Sequence, residues 1–70
     1  MPEKRILTKQ ELGERLYAYY AEHYGERDTD EWYDPPAVNV CVFRREGQFI
    51  SLKAHILTGA VEVFVEEAKK

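Results

Sequence analysis

Seventy residues leave room for one small domain, and a chain of this length hides only about 60% of its unfolded surface on folding. With 44% apolar and 33% charged residues, and 10 Lys plus Arg against 13 Asp plus Glu, the composition excludes a disordered tail and predicts a compact, mildly acidic fold. The formal charge of −3 has the wrong sign for a protein that binds phosphate over a broad basic face. A single cysteine, Cys41, excludes an internal disulfide, and no apolar run is long enough for a signal peptide or a membrane span. A soluble, cytoplasmic protein with no membrane partner is therefore expected.

The first element is announced at Thr8. Thr8-Lys9-Gln10-Glu11 has the capping-box pattern, and Leu7 and Leu12 occupy the two positions of a hydrophobic staple. At about 100° per residue, Leu12, Leu16, Tyr19 and His23 share one stripe, flanked by Tyr17, Tyr20 and Tyr24, with Glu11, Glu14, Arg15 and Glu22 opposite. The spacing predicts an amphipathic helix over residues 9–24, stopped by Gly25 and weakened in its interior by Gly13. His23, in the middle of the stripe, is expected to be a core histidine bonded to a tyrosine or a carbonyl.

From Glu26 to Ala37 the periodicity vanishes, and Asp34-Pro35-Pro36 forbids both helix and central strand. This connector is acidic: Glu26, Asp28, Asp30, Glu31 and Asp34 oppose one Arg27, with Trp32 and Tyr33 between them to pin it to the body. Asp28-Thr29-Asp30 opens like a calcium loop, but Tyr33 stands where such a loop requires glycine, so no metal site is expected.

The remainder alternates with period two and predicts three strands. Val38, Val40 and Val42, then Ile50, Leu52, Ala54 and Ile56, then Val61, Val63 and Val65, make ten residues expected to face the helix. Opposing the valines to Ile50 pairs Val42 with Ile50 and makes Arg45-Glu46-Gly47 a three-residue loop with a glycine bulge. Opposing Ile56 to Val61 makes Thr58-Gly59 a two-residue turn. Glu66 to Lys70 is expected to be a polar tail that frays. The fold class is α+β, a single N-terminal helix on one face of a three-stranded antiparallel meander, αβββ.

That register places Phe43 opposite Phe49, Cys41 beside Ser51 and Glu66, Asn39 beside Lys53 and Phe64, and His55 opposite Glu62 on the outer face. An apolar sheet face bearing Phe43, Phe49 and Phe64 marks an interaction site unless Ile6, Leu7 or Trp32 folds over it. Cys41 and His55 lie about 13 Å apart along the strand, too far for a thiol–imidazole pair, and the four isolated glycines form no phosphate loop. No catalytic residue, cofactor or metal follows.

The four helix tyrosines span a wider arc than one sheet can cover, so Tyr17 and Tyr24 are expected at the rim beside Asp28, Asp30, Glu31, Trp32 and Tyr33, an acidic aromatic surface suited to a basic site on a partner. The function expected is that of a non-enzymatic interaction module, an inhibitor or regulator of the kind phages and other mobile elements encode. It would dock on a protein partner, or on a second copy as a homodimer, through that surface, the outer sheet face or a strand edge. The alternative is a nucleic-acid-binding module that stacks bases on Phe43, Phe49 and Phe64 while Arg44, Arg45 and Lys53 meet phosphate, against the repulsion of Glu62 and Glu66.

Overall fold

A computed structural model of the chain describes residues 5–68. The helix, α1, spans Lys9–Tyr24, the range its capping signals predict. Thr8 Oγ1 accepts from the Glu11 amide at 3.1 Å and Glu11 Oε1 accepts from the Thr8 amide at 2.9 Å, so two of the four orphan donors of the first turn are satisfied reciprocally. The Thr8 amide, helped by Arg5 at 3.2 Å, holds the Glu11 carboxyl down at about 2. At the other end Gly25 takes φ 68° and donates its amide to Ala21 O.

The buried stripe is Leu12, Leu16 and Tyr20, not the predicted Leu12, Leu16, Tyr19 and His23. His23 is exposed and stacks on Tyr19 at 4.0 Å, so no core histidine exists here. The stripe is displaced because Tyr20 has a buried hydrogen-bond partner, Asp30, which the periodicity of apolar residues does not register.

The sheet has four strands rather than three: β1 (Glu31–Tyr33), β2 (Val40–Arg45), β3 (Gln48–Ala54) and β4 (Val61–Glu67), antiparallel and in the spatial order β1-β2-β3-β4. The added strand comes from the connector, where Glu31, Trp32 and Tyr33 pair with Arg44, Phe43 and Val42. The expected tail is also shorter, since β4 continues through Glu66 and Glu67 and the Ala68 amide still donates to Gly47 O; Lys69 and Lys70 lie outside the described residues. The two outer edges differ. β1 is three residues long and runs into Pro35-Pro36, whereas β4 offers seven residues whose free edge carries Glu62, Glu66 and Glu67 on its side chains.

The β2–β3 register differs from the predicted one by a single residue. Phe43 lies opposite Ile50 and Arg45 opposite Gln48, leaving Glu46-Gly47 as a two-residue turn with φ of 49° and 78°. Both values are positive, the signature of the type I′ hairpin. Because side chains alternate, this slip exchanges the faces of β2: Cys41, Phe43 and Arg45 turn toward the helix, and Val40 and Val42 turn away. Val38 ends up 57% exposed in the loop before β2. Phe43 is fully buried, which contributes about 2–3 kcal/mol, and it completes the core with Leu12, Leu16, Tyr20, Ile50, Leu52 and Ala54.

The β3–β4 register differs by two residues, which leaves faces unchanged: Ala54 opposes Val61, Leu52 opposes Val63 and Ile50 opposes Val65. Ile56 leaves the sheet, because residues 56–59 form the connecting loop, closed by His55 N–H to Ala60 O and Gly59 N–H to His55 O, both 2.8 Å. Val65 faces inward but lies beyond the reach of α1, exposed like Ile56. Gly59 takes φ 78° where a Cβ would stand 3.2 Å from Leu7 and Arg15, and the Leu7 amide donates to Ile56 O. The segment before the helix is thereby tied to the helix side of the sheet, not folded across its outer face as one expectation had it.

The Glu46-Gly47 turn gives a test of the register. A non-glycine residue in the left-handed region costs about 1 kcal/mol, which asparagine largely avoids. Glu46→Asn is expected to raise Tm by about 3–6 °C, with little offset from the exposed Arg27–Glu46 contact at 3.6 Å. A three-residue loop would have no such preference, and an unchanged or lower Tm in thermal unfolding contradicts the two-residue turn.

Candidate functional site

Three features of the molecule bear on function: a buried ionic joint, an open sheet face and a groove beside the helix. The joint is built from residues that the sequence assigns to separate surfaces. Arg27 to Asp30 forms a turn, with the Asp30 amide donating to Arg27 O, and this turn inserts the Asp30 carboxylate beneath Tyr20. Arg45 Nε donates to Asp30 Oδ1 at 2.8 Å and Nη2 to Oδ2 at 2.5 Å, while Tyr20 Oη donates to Oδ2 at 2.5 Å. The guanidinium also donates to the carbonyls of Tyr24 and Gly25, both at 3.0 Å, satisfying the C-terminal end of α1 with a cation where the helix dipole favours one.

The Asp30 side chain is 1% exposed and that of Arg45 11%. Arg45 packs over the rings of Tyr20, Tyr24 and Phe43 at 5.3–5.7 Å. Bonds from Arg45 hold the Asp30 carboxyl below the usual carboxylate range against the opposing effect of burial, and the same bonds raise the Arg45 guanidinium further. Two predicted surface residues are therefore structural. Asp30 cannot meet a partner or a cation, and Arg45 cannot meet phosphate.

The sheet's outer face has no layer over it among the described residues. Its rows run Glu31, Arg44, Phe49, Glu66; then Tyr33, Val42, Ser51, Phe64; then Val40, Lys53, Glu62. Phe64 is 53% exposed, the Tyr33 ring lies 5.5 Å from that of Phe49, and the Arg44 guanidinium lies over the Phe49 ring at 5.8 Å. Phe49, Phe64 and Lys53 stand on this face as expected, but Phe43 does not: its ring is in the core, in edge contact with Tyr20 at 5.0 Å. Tyr33 and Val42 take its place in the apolar strip.

The alternation of β1 splits the predicted acidic aromatic surface in two. Trp32 turns to the helix side, 4.7 Å from Tyr20 and 4.9 Å from Phe43, while Tyr33 and Glu31 turn to the outer face. Tyr24 leans inward on Phe43 at 5.4 Å, and burial pushes its phenol up. Tyr17 remains half exposed and donates to the Glu26 carboxylate. Asp28 is exposed in the turn that precedes β1. Tyr17 and Trp32 together wall a groove of about 210 Å³ that sequence reasoning missed, floored by Gly13, Leu16 and Cys41 and closed by Pro35 and Val38. The signals for it were Gly13 in the helix and the diproline, which only a fold brings together.

The remaining reactive side chains do not converge. Cys41 faces inward opposite Leu52, where burial raises its thiol. His55 lies in the β3–β4 loop and accepts the Leu57 and Thr58 amides on Nδ1 at 3.2 and 3.3 Å, while Glu62 opposes Lys53, so the predicted His55–Glu62 pairing is absent. Among the described residues no three His, Cys, Asp or Glu side chains lie close enough to share a metal ion, and no helix is long and apolar enough to cross a membrane.

The joint sets an acid limit on the fold. A carboxyl whose folded pKa is depressed contributes stability above its unfolded value, about 3.9, and that contribution is lost as pH falls through the folded value. Asp30→Asn is expected to cost about 3–5 kcal/mol near neutral pH, because it leaves a buried guanidinium unpaired. It is also expected to flatten the decline of stability with acid below about pH 4. Thermal unfolding across that range checks both, and a variant as stable as the wild type at neutral pH refutes the joint's role.

No family model matches the chain, and comparisons with curated proteins and with solved structures find no significant match.

Proposed function

We propose that this protein is a non-enzymatic interaction module whose open sheet face docks on another protein, acting as a regulator or inhibitor by occupying its partner's surface. One observation carries this reading: Tyr33, Val42, Phe49 and Phe64 stand on four successive strands of one face, broken by Ser51, and no other element covers that face among the described residues. Polar groups rim the strip with both signs, Arg44 and Lys53 against Glu31, Glu62 and Glu66, a pattern that suits a protein partner with complementary charges and disfavours a phosphate backbone. The withdrawal of Arg45 and Phe43 into the core weakens the nucleic-acid alternative further, removing one of its cations and one of its stacking rings.

The size of the face argues for a foreign partner over a flat dimer. Strands of three, six, seven and seven residues, about 4.8 Å apart and rising about 3.3 Å per residue, make a patch of roughly 360 Å². A stable interface buries about 800 Å² on each side. A second copy laid face to face falls short by about half, whereas a concave partner that also grips the β4 edge and the β1 flank reaches the required area.

A photo-crosslinking side chain at position 64, in the cells that make the protein, tests the proposal. A discrete protein adduct is expected, reduced at least tenfold by Phe49→Asp, with the same side chain at position 22 on the helix's far face giving none. An adduct at twice the protein's own mass, or one removed by nuclease, replaces the proposal with self-association or with nucleic-acid binding, and no adduct above the control rejects the face as an interface.

A further inference from the structure

Gly13 lies in the interior of α1, where glycine is destabilising, yet a Cβ built there meets nothing within 4 Å. The chain's own packing therefore gives no reason for it. Gly59, by contrast, is required by both its φ of 78° and its neighbours. Gly13 instead floors two adjoining hollows that share Pro35 and Val38. One is bounded by Tyr17 and Trp32, and the other runs on to Lys9 and Pro36, so together they form a continuous channel along the helix.

From this geometry we infer a second binding site, distinct from the open sheet face: a channel over Gly13 that takes an extended, proline-rich segment of a partner carrying a basic residue at the Trp32 end. The walls select this occupant. Around Leu16, Tyr17 and Trp32 they are almost wholly apolar and aromatic, so a strand or loop with unsatisfied amides would be desolvated there without compensation. A polyproline II segment has no internal backbone hydrogen bonds to lose, stays solvated on its outer side, and lays its rings against aromatic walls such as Tyr17 and Trp32. The absence of a side chain at position 13 lets its backbone approach the helix.

Charge supplies the polarity. At the aromatic end the Glu26 carboxylate accepts from the Tyr17 hydroxyl, and Asp34 immediately precedes the lining residue Pro35 in the chain; the exposed Arg27 makes a contact with Glu46 at 3.6 Å. At the opposite end stands Lys9. A Lys or Arg following the prolines is drawn to the aromatic end and repelled from the other, which fixes the direction of the segment. The Asp34-Pro35-Pro36 run of a second copy has prolines but the wrong charge.

Trp32 is the chain's only tryptophan, so its emission reports occupancy directly. Titration of the full-length protein with a ten-residue proline-rich peptide ending in two arginines is expected to give a saturable change in emission. The affinity should fall at least tenfold when glutamates replace the arginines. Gly13→Ala is expected to raise Tm by about 4 °C or more while weakening the peptide at least fivefold, and Gly13→Leu to abolish binding with the fold retained in circular dichroism. Opposite signs for stability and binding separate an occupied channel from a merely structural glycine. Three results overturn the inference: no saturable change up to millimolar peptide, equal binding of the glutamate peptide, or unaltered affinity in Gly13→Leu.

Discussion

The pairing of Asp30 with Arg45 is the constraint on which the rest of the molecule depends. Arg45 ends β2, closes the last carbonyls of α1 and grips the turn that leads into β1, so one guanidinium joins the end of the helix and the turn after it to a strand that follows much later in the chain. Its charge is tolerable inside a small fold only because Asp30 and two carbonyls occupy its donors and three aromatic rings surround it. Without the carboxylate, the register that buries Arg45 would carry a desolvated charge into the core. Ionic pairing and strand register are therefore a single choice, and the fully buried ring of Phe43 follows from it.

How far the sequence could reveal this depended on whether each signal was local. Thr8, Glu11, Leu7 and Gly25 define the helix through contacts within a few residues, and α1 begins and ends where they indicate. The inward residues of β3 and β4 were legible because a two-residue error of register preserves parity. The faces of β2 were not, since the error there is one residue and Gly47 satisfies a two-residue and a three-residue turn equally well. What decides between the turns is the attraction of Asp30 for Arg45, fifteen residues away, which no periodicity records. The same pair hid β1: Glu31 to Tyr33 read as part of an acidic connector, and only Arg45 anchoring Asp30 brings it alongside β2.

For the candidate surfaces, composition indicated correctly that the aromatic residues exceed what so small a core can hold, but not how they are shared out. Phe49, Phe64 and Lys53 stand where the alternation of β3 and β4 put them, and Tyr33 joins them only because β1 exists. Trp32, its neighbour in the chain, is sent to the other side of the sheet by the same alternation. A three-residue strand thus supplies one aromatic wall to each of two surfaces, and both are held in place by the buried turn immediately before it. Ligands on the two sides would therefore not be independent, since each draws on the same short segment and the same ionic anchor.

The free edge of β4 has a further consequence. Seven unbroken residues with exposed Phe64 and Val65 form a template on which a second chain could stack, and the safeguard is the carboxylates of Glu62 and Glu66 on one face and Glu67 on the other. That safeguard is electrostatic, not steric, and salt screens exposed charges of this kind. Solubility and native structure thus rest on charges of two kinds, exposed at this edge and buried at the Asp30–Arg45 joint. Salt weakens the first far more than the second, so the edge loses its guard while the fold keeps its anchor.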